Sequence, residues 1–206
     1  MTDKRLLIIF VKNPELGKCK TRLAATVGDE KALRFYEKML ERTLEVVTPA
    51  KANKAIYYSS FIDKNDLWPE NERFNKGIQI NGDLGSKMSA AFSEAFQQGY
   101  TSVCIIGSDC YKLDTSIIDK AFEALQNKDA VIGPSTDGGY YLLGMNHLIT
   151  EVFENKEWST DSVCLETEKD FRKLHLSFSK LQALTDIDTE EDLKTIPEEV
   201  VTSFLK

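Results

Sequence analysis

The 206-residue chain holds 26 Lys and Arg against 33 Asp and Glu, a formal net charge of −7, and 42% of its residues are hydrophobic. This composition suits one globular domain over residues 1–206, with apolar residues enough for a full core. It argues against nucleic acid as a partner held by bulk charge. Two histidines, and four cysteines without a Cys-x-x-Cys pair, argue against a zinc cage. Reduced thiols and a cytoplasmic location are the expectation. The apolar run Leu6–Val11 is too short for a secretory signal and ends at Lys12-Asn13-Pro14 without a small-residue cleavage site. No stretch is long enough to span a bilayer.

In chain order, Arg5–Val11 reads as a buried first strand. Lys12 to Leu23 follows as a loop marked by Pro14 and Gly17, and it concentrates Lys12, Lys18, Lys20 and Arg22. A glycine-containing loop between a strand and a helix offers backbone N–H groups to phosphate oxygens, and Lys and Arg add charge-assisted hydrogen bonds. The loop is not a Walker P-loop, because Gly-Lys-Ser/Thr at the required spacing is missing. A solvated basic loop is the alternative. After Gly28-Asp29, the spacing of Leu33, Tyr36, Leu40, Leu44 and Val47 predicts a long amphipathic helix closed by Pro49.

Ala55–Ser60 is expected as a second strand, Phe61–Lys76 as a polar surface excursion, and Gly77–Asn81 as a third strand. Gly82-Asp83-Leu84-Gly85 then turns into a helix burying Met88, Phe92 and Phe96 and ending near Gly99. This turn either approaches a nucleotide base or ribose, or is simply a well-made strand-to-helix connection. Ser102–Ile106 is the apolar part of a fourth strand, followed by Gly107-Ser108-Asp109-Cys110. Asp109 thus sits just past a strand's carboxyl end, the edge at which open α/β sheets bind ligands. A carboxylate there holds a divalent cation against a phosphate, or caps the next helix.

A helix from Thr115 with Ile118, Phe122 and Leu125 inward precedes a fifth strand, Ala130–Gly133. Asp137-Gly138-Gly139 implies an unusual backbone path or a close approach, and leads into a sixth, antiparallel segment, Tyr140–Met145. A helix is expected over about 161–173, capped by Ser159 or Thr160, and a last strand over His175–Phe178. In Thr185-Asp186-Ile187-Asp188-Thr189, residues i and i+2 of an extended segment face the same way. Asp186 and Asp188 can therefore share a cation, while Asp188 or Thr189 is equally placed to cap the acidic helix start Glu190-Glu191-Asp192. Strands alternating with helices predict a three-layer α/β/α sandwich with a mainly parallel, mixed sheet.

In this order, and with Phe10-x-Lys12-x-Pro14-x-x-Gly17-x-x-Lys20-Thr21-Arg22-Leu23 at the start, these segments resemble the GT-A-like transferases. The nearest resemblance is to bacterial glycosyltransferase-like, radical-SAM/selenodomain-associated transferases, relatives of phospholactate guanylyltransferase and of molybdenum-cofactor nucleotidyltransferases. It runs from about Leu6 to Leu193 and implies a nucleotide-diphospho-sugar transferase fold of GT-A type. By resemblance, Lys12, Lys18, Lys20 and Arg22 hold nucleotide phosphates, with Gly82 and Asp83 beside the nucleotide. Asp109 corresponds to the metal-binding Asp-x-Asp motif, but Cys110 and Tyr111 follow it, so the motif's second carboxylate is absent. The implied Mg²⁺ or Mn²⁺ then needs Asp188 or Asp186 from the far end of the chain. Gly138, Gly139 and Tyr140 border the sugar or acceptor, and Asp137 is the candidate base.

The resemblance implies a nucleotide or nucleotide-sugar donor and a small-molecule acceptor. Glycosyl transfer, nucleotidyl transfer and a non-catalytic nucleotide-binding module all remain open at this point. Catalysis by Cys110 requires an exposed thiol with a lowered pKa, and a packed thiol is the stronger expectation.

Overall fold

A computed structural model describes residues 4–205. Seven strands form one sheet in the order β3-β2-β1-β4-β6-β5-β7. They are β1 (Arg5–Val11), β2 (Asn53–Tyr58), β3 (Phe74–Ile78), β4 (Ser102–Ile106), β5 (Ala130–Pro134), β6 (Tyr140–Met145) and β7 (Phe178–Lys180). β6 runs antiparallel to both its neighbours, and every other pairing is parallel. The central strands are apolar almost throughout because helices cover both faces of the sheet.

On one face lie α2 (Asp29–Val47) and α4 (Thr115–Ala124), which bury Tyr36, Leu40, Val47, Ile118 and Phe122 against Leu7, Ile9 and Ile106. On the other face lie α3 (Leu84–Gln97) and α5 (Val163–Lys173), which bury Met88, Phe92 and Phe171 against Ile8, Ile105 and Leu143. A third apolar cluster joins the short α1 (Thr21–Val27) and α2 to α6 (Glu190–Leu193) through Leu23, Phe35, Met39, Ile187 and Leu193. Phe204 of α7 (Glu198–Leu205) packs edge-on against Phe35 there.

The chain runs outward from β1 to β2 and β3 and then returns across β1 to β4. That reversal opens a crevice beyond the carboxyl ends of β1 and β4, where the connections diverge.

Four expectations shift. Strand β3 begins at Phe74 rather than Gly77, because Gly77 sits inside the ladder opposite Tyr57, whose ring lies 3.2 Å from where a Cβ would stand. The excursion before it is more than surface: Trp68 is buried in the core, and Lys76 pairs with Asp66 at 2.8 Å. Strand β7 starts at Phe178, because His175 adopts a left-handed φ of 56° as α5 ends. Helix α5 begins at Val163 behind Ser162, whose side chain makes no cap bond. The expected caps Ser159 and Thr160 belong to a loop that has other work.

Candidate active site

The β1 loop is fixed from three sides before any ligand is considered. Asn13, 2% exposed, accepts hydrogen bonds from the Ser60 and Phe61 amides and donates to the Phe61 carbonyl at 2.8 Å, which ties the loop to the end of β2. The Tyr36 hydroxyl accepts from the Lys12 amide at 2.8 Å and donates to the Lys12 carbonyl at 3.1 Å. It also lies 3.2 Å from Ser108 Oγ, linking α2 to the loops after β1 and β4. Burial raises the Tyr36 hydroxyl's pKa, and the nearby Asp109 carboxylate adds to the shift, so it stays protonated and serves as a brace.

Lys20 opens α1 in a left-handed conformation, φ 49°. Its side chain is 3% exposed, and its ammonium pairs with both Asp109 and Asp188 Oδ1, the latter at 3.0 Å. Arg22 approaches the other Asp188 oxygen at 2.8 Å. Burial alone would lower the Lys20 pKa, but the carboxylates of Asp109 and Asp188 raise it above its ordinary value. For Asp188, burial pushes upward, yet Lys20, Arg22 and Lys12 hold it below the usual carboxylate range.

The far end of the chain reaches this point through backbone bonds. Leu184 N donates to the Pro134 carbonyl at 3.1 Å, Thr136 N to the Leu184 carbonyl at 2.9 Å, and Ile187 N to the Asp109 carbonyl at 2.9 Å. Residues 184–187 are thereby laid along the sheet edge. Ile187 is fully buried in the third cluster, and its neighbours on either side turn the other way, toward the crevice. The competition between cap and cation pairing resolves by division of labour. Thr189 caps α6 in a reciprocal box with Asp192, which leaves the Asp188 carboxylate to Lys20 and Arg22. Asp186 is half-buried, and burial together with the Asp109 carboxylate raises its pKa to about 7.

These groups line a cleft of about 610 Å³. Lys12, Arg22, Asp109, Asp137, Gly139, Tyr140, Asp186 and Asp188 all border it, and Lys20 closes a smaller recess beside it. Asp137 Oδ1 accepts from the Gly139 amide at 3.0 Å. Lys18 lies apart on the exposed loop, paired with Glu15 at 2.8 Å. Gly82 and Asp83 stand outside the cleft wall: Asp83 caps α3 by accepting from the Ser86 amide at 2.7 Å. Gly138, at φ +92°, serves packing, since a Cβ there would meet the Asp161 carbonyl oxygen at 2.0 Å.

The far wall comes from residues that the sequence offered as caps, turn or core, and from Trp158, Asp161 and Lys87, to which it gave no role. Trp158, Ser159, Thr160 and Asp161 line the cleft together with Leu84, Lys87 and Met88 of α3. Trp158 lies flat enough against the first turn of α3 that a Cβ on Gly85 would sit 2.4 Å from its ring. The usable signal was the glycine itself: Gly85 makes its close approach to a tryptophan of the same chain. Cys110 is buried, and burial pushes its thiol up to about 12, as a packed cysteine requires.

Among the described residues, no group of three or more His, Cys, Asp or Glu side chains forms a ready-made metal cage. Asp109 and Asp188 nonetheless converge on a single cationic point, the Lys20 ammonium. Two carboxylates are the hard-oxygen donors that a Mg²⁺ or Mn²⁺ ion takes, and here the Lys20 ammonium occupies the point between them. No helix of the described residues is long and apolar enough to cross a membrane.

The fold recurs in solved structures. A candidate nucleotide-diphospho-sugar transferase from Desulfovibrio desulfuricans superposes with a TM-score of 0.89 at 32% identity, over 97% of this chain and 88% of that one. A 4-diphosphocytidyl-2C-methyl-D-erythritol synthase from Anaerococcus prevotii matches at TM-score 0.61 and 15% identity, over 93% of this chain and 95% of that one. The Mycobacterium tuberculosis protein Rv0371c, crystallised in complex with manganese, matches at 0.55 and 11%, over 95% and 98% of the two chains. A search of curated proteins gives no match. The expected fold class thus stands: a mostly parallel, mixed seven-stranded α/β sheet of the nucleotide-diphospho-sugar transferase type, whose structural relatives are transferases. A family model matches residues 43–160, and the chain belongs to that family, described as an uncharacterized protein conserved in bacteria (DUF2064).

Proposed function

We propose that the protein is a transferase that uses a nucleotide-activated donor, in the first place a metal-assisted glycosyltransferase acting on a nucleotide-diphospho-sugar. The observation that carries this reading is the convergence of Asp109 and Asp188, 79 positions apart in sequence, on the Lys20 ammonium at the mouth of a cleft beyond β1 and β4. Independent caps and turns have no reason to meet at one point of one sheet edge. The likeness to the Desulfovibrio protein over nearly the whole chain points the same way.

Asp109 and Asp188 would hold Mg²⁺ or Mn²⁺, with Asp186 close behind. The ion, when bound, offsets the negative charge that grows on a leaving nucleoside diphosphate. The chain's own groups do the remainder. Tyr36 and Ser108 keep the β1 and β4 loops in register, so the backbone that carries Asp109 is set before substrate arrives. Lys20 holds the two carboxylates side by side against their mutual repulsion. Asp137, aimed by the Gly139 amide, is placed to take the acceptor's hydroxyl proton.

The test is a panel of nucleotide sugars and small-molecule acceptors with Mg²⁺ or Mn²⁺, comparing wild type with Asp109→Asn. The expected result is turnover in the wild type and a kcat loss of roughly 10²–10³-fold in the variant, the size associated with removing one charge-stabilising group. A wild type that binds nucleotide and turns nothing over leaves a binding module instead.

Nucleotidyl transfer is the second reading, favoured by the shared fold of the diphosphocytidyl-methylerythritol synthase. It calls for pyrophosphate release from a nucleoside triphosphate in the presence of a phosphorylated acceptor, and that release decides between the two.

A further inference from the structure

The charges of the cleft divide into those already answered within the protein and those that are not. Lys18 is paired with Glu15, Lys20 with Asp109 and Asp188, and Arg22 with Asp188. Three of the four cations of the β1 loop therefore already face a carboxylate. Lys20 is held by two carboxylates at once and would have to give up both ion pairs to meet a phosphate, an exchange that only another cation between Asp109 and Asp188 would balance.

Two cations lining the cleft are different. Lys12 and Lys87 make no ion pair and no side-chain hydrogen bond among the described residues. Lys12 has its backbone pinned on both sides by Tyr36 while its side chain stays exposed. Lys87 sits in the first turn of α3, half-buried, on a wall it shares with Leu84, Met88 and Trp158. Apolar neighbours exclude water and strengthen a charge's hold on an opposite charge, and the positive end of the α3 dipole adds to the same field.

Among the described residues, the acidic side chains of the cleft that make no ion pair lie on the other half of the sheet edge. Asp137 stands between β5 and β6, Asp161 before α5, and Asp186 beyond β7. The cleft is thus segregated: cations without an ion pair come from the β1 and α3 side, where Lys12 acts on Asp188 only through space, and the carboxyl groups without an ion pair come from the β5, β6 and β7 side.

We propose that Lys12 and Lys87, rather than the other cations of the β1 loop, grip the phosphate groups of the ligand, as a two-walled clamp for a condensed phosphate. Its ligand class is the diphosphate of a nucleotide donor, or the tail of a triphosphate. This deepens the nucleotide-donor reading and rests on it. Lys87 then acts by binding phosphate, and Lys20 by holding carboxylates together.

The experiment is isothermal titration of wild type, Lys12→Met, Lys87→Met, Lys87→Arg and Lys18→Met with inorganic pyrophosphate, UDP, GDP, CDP and ADP, each with Mg²⁺, and with malonate as a carboxylate control. Thermal melts verify that each variant is folded. The expected result is that Lys12→Met and Lys87→Met each weaken pyrophosphate and the preferred nucleoside diphosphate about tenfold and flatten the salt dependence of binding. Lys87→Arg should retain most of the affinity, and Lys18→Met should leave it unchanged. Wild-type affinity in a folded Lys87→Met, an equal loss in Lys18→Met, or malonate binding as tightly as pyrophosphate each overturns the clamp. If the wild type binds neither pyrophosphate nor any nucleotide, the nucleotide-donor reading falls with it. Binding that survives in both methionine variants removes the clamp alone.

Discussion

The two ends of the cleft are held by different forces. At the β1 end, the geometry is electrostatic: Lys20 and Arg22 bind carboxylates from the middle and the far part of the chain, and buried polar groups, Asn13 and Tyr36, lock the loop behind them. At the α3 and α5 end, the geometry is steric. Gly85 yields space to Trp158, Gly138 yields space to the Asp161 backbone, and the loop between those two residues settles into place. The difference teaches where each end is vulnerable. An electrostatic junction tolerates small changes of shape and fails when a charge is removed, whereas a steric one tolerates changes of charge and fails when a methyl group is added.

The largest effect is expected at the steric end. Gly138→Ala must accommodate a Cβ 2.0 Å from the Asp161 carbonyl oxygen at a φ of +92°. A backbone neighbour cannot swing aside, so about 3 kcal/mol of stability should be lost, read from a denaturant midpoint at unchanged slope. A loss under 1 kcal/mol would mean that the two loops are not packed as described.

Next comes the electrostatic end. Lys20→Met should cost about 2 kcal/mol. That is less than the 3–5 kcal/mol of a wholly buried pair, because the Asp109 and Asp188 side chains keep 42% and 32% of their exposure. Adding Asp188→Asn should restore part of the loss, since it removes one of the two stranded charges, and a double-mutant cycle measures this coupling. Additive losses would separate the three side chains energetically.

The smallest effect is expected from Gly85→Ala. The obstructing atoms there belong to the Trp158 side chain, 2.4 Å from a Cβ, and the indole can turn away into the cleft. A cost of about 1–2 kcal/mol should be accompanied by a shift of Trp158 emission. In a Trp68→Phe background Trp158 is the sole tryptophan, so the spectrum reports this wall directly. An unchanged spectrum would show that Trp158 does not rest on Gly85.

Much of this was legible in the sequence, for identifiable reasons. The span Arg5–Val11 is apolar because helices cover both sides of β1, and that pattern survives without any knowledge of partners. The alternation of Asp186, Ile187 and Asp188 likewise encodes a buried side and an open one, and the structure places them so. Lys20 belongs to the motif that carries the family resemblance and Lys18 does not, but both read as cations of one basic loop. The left-handed turn at Lys20 and the burial of its side chain give the physical reason that it bonds to Asp109 while Lys18 stays on the surface. Gly82 to Gly85 announced a close approach but could not say to what, because the answer, Trp158, lies 73 residues beyond Gly85 and on no periodic element. Lys87 was indistinguishable from any exposed helical lysine until the cleft that it borders was in view.

The passage of residues 184–187 along the sheet edge has a consequence for biosynthesis. Among the described residues, all seven strands precede Asp188 in order of synthesis, so the sheet's strands are made before the last carboxylate of the cleft. Asp109 offers Lys20 a first counter-charge before β5 exists, whereas its second, and the partner of Arg22, come only with Asp188; a product cut short just after β7 would leave Arg22 unpaired and would uncover Leu23, Phe35 and Met39, which Ile187 and Leu193 cover.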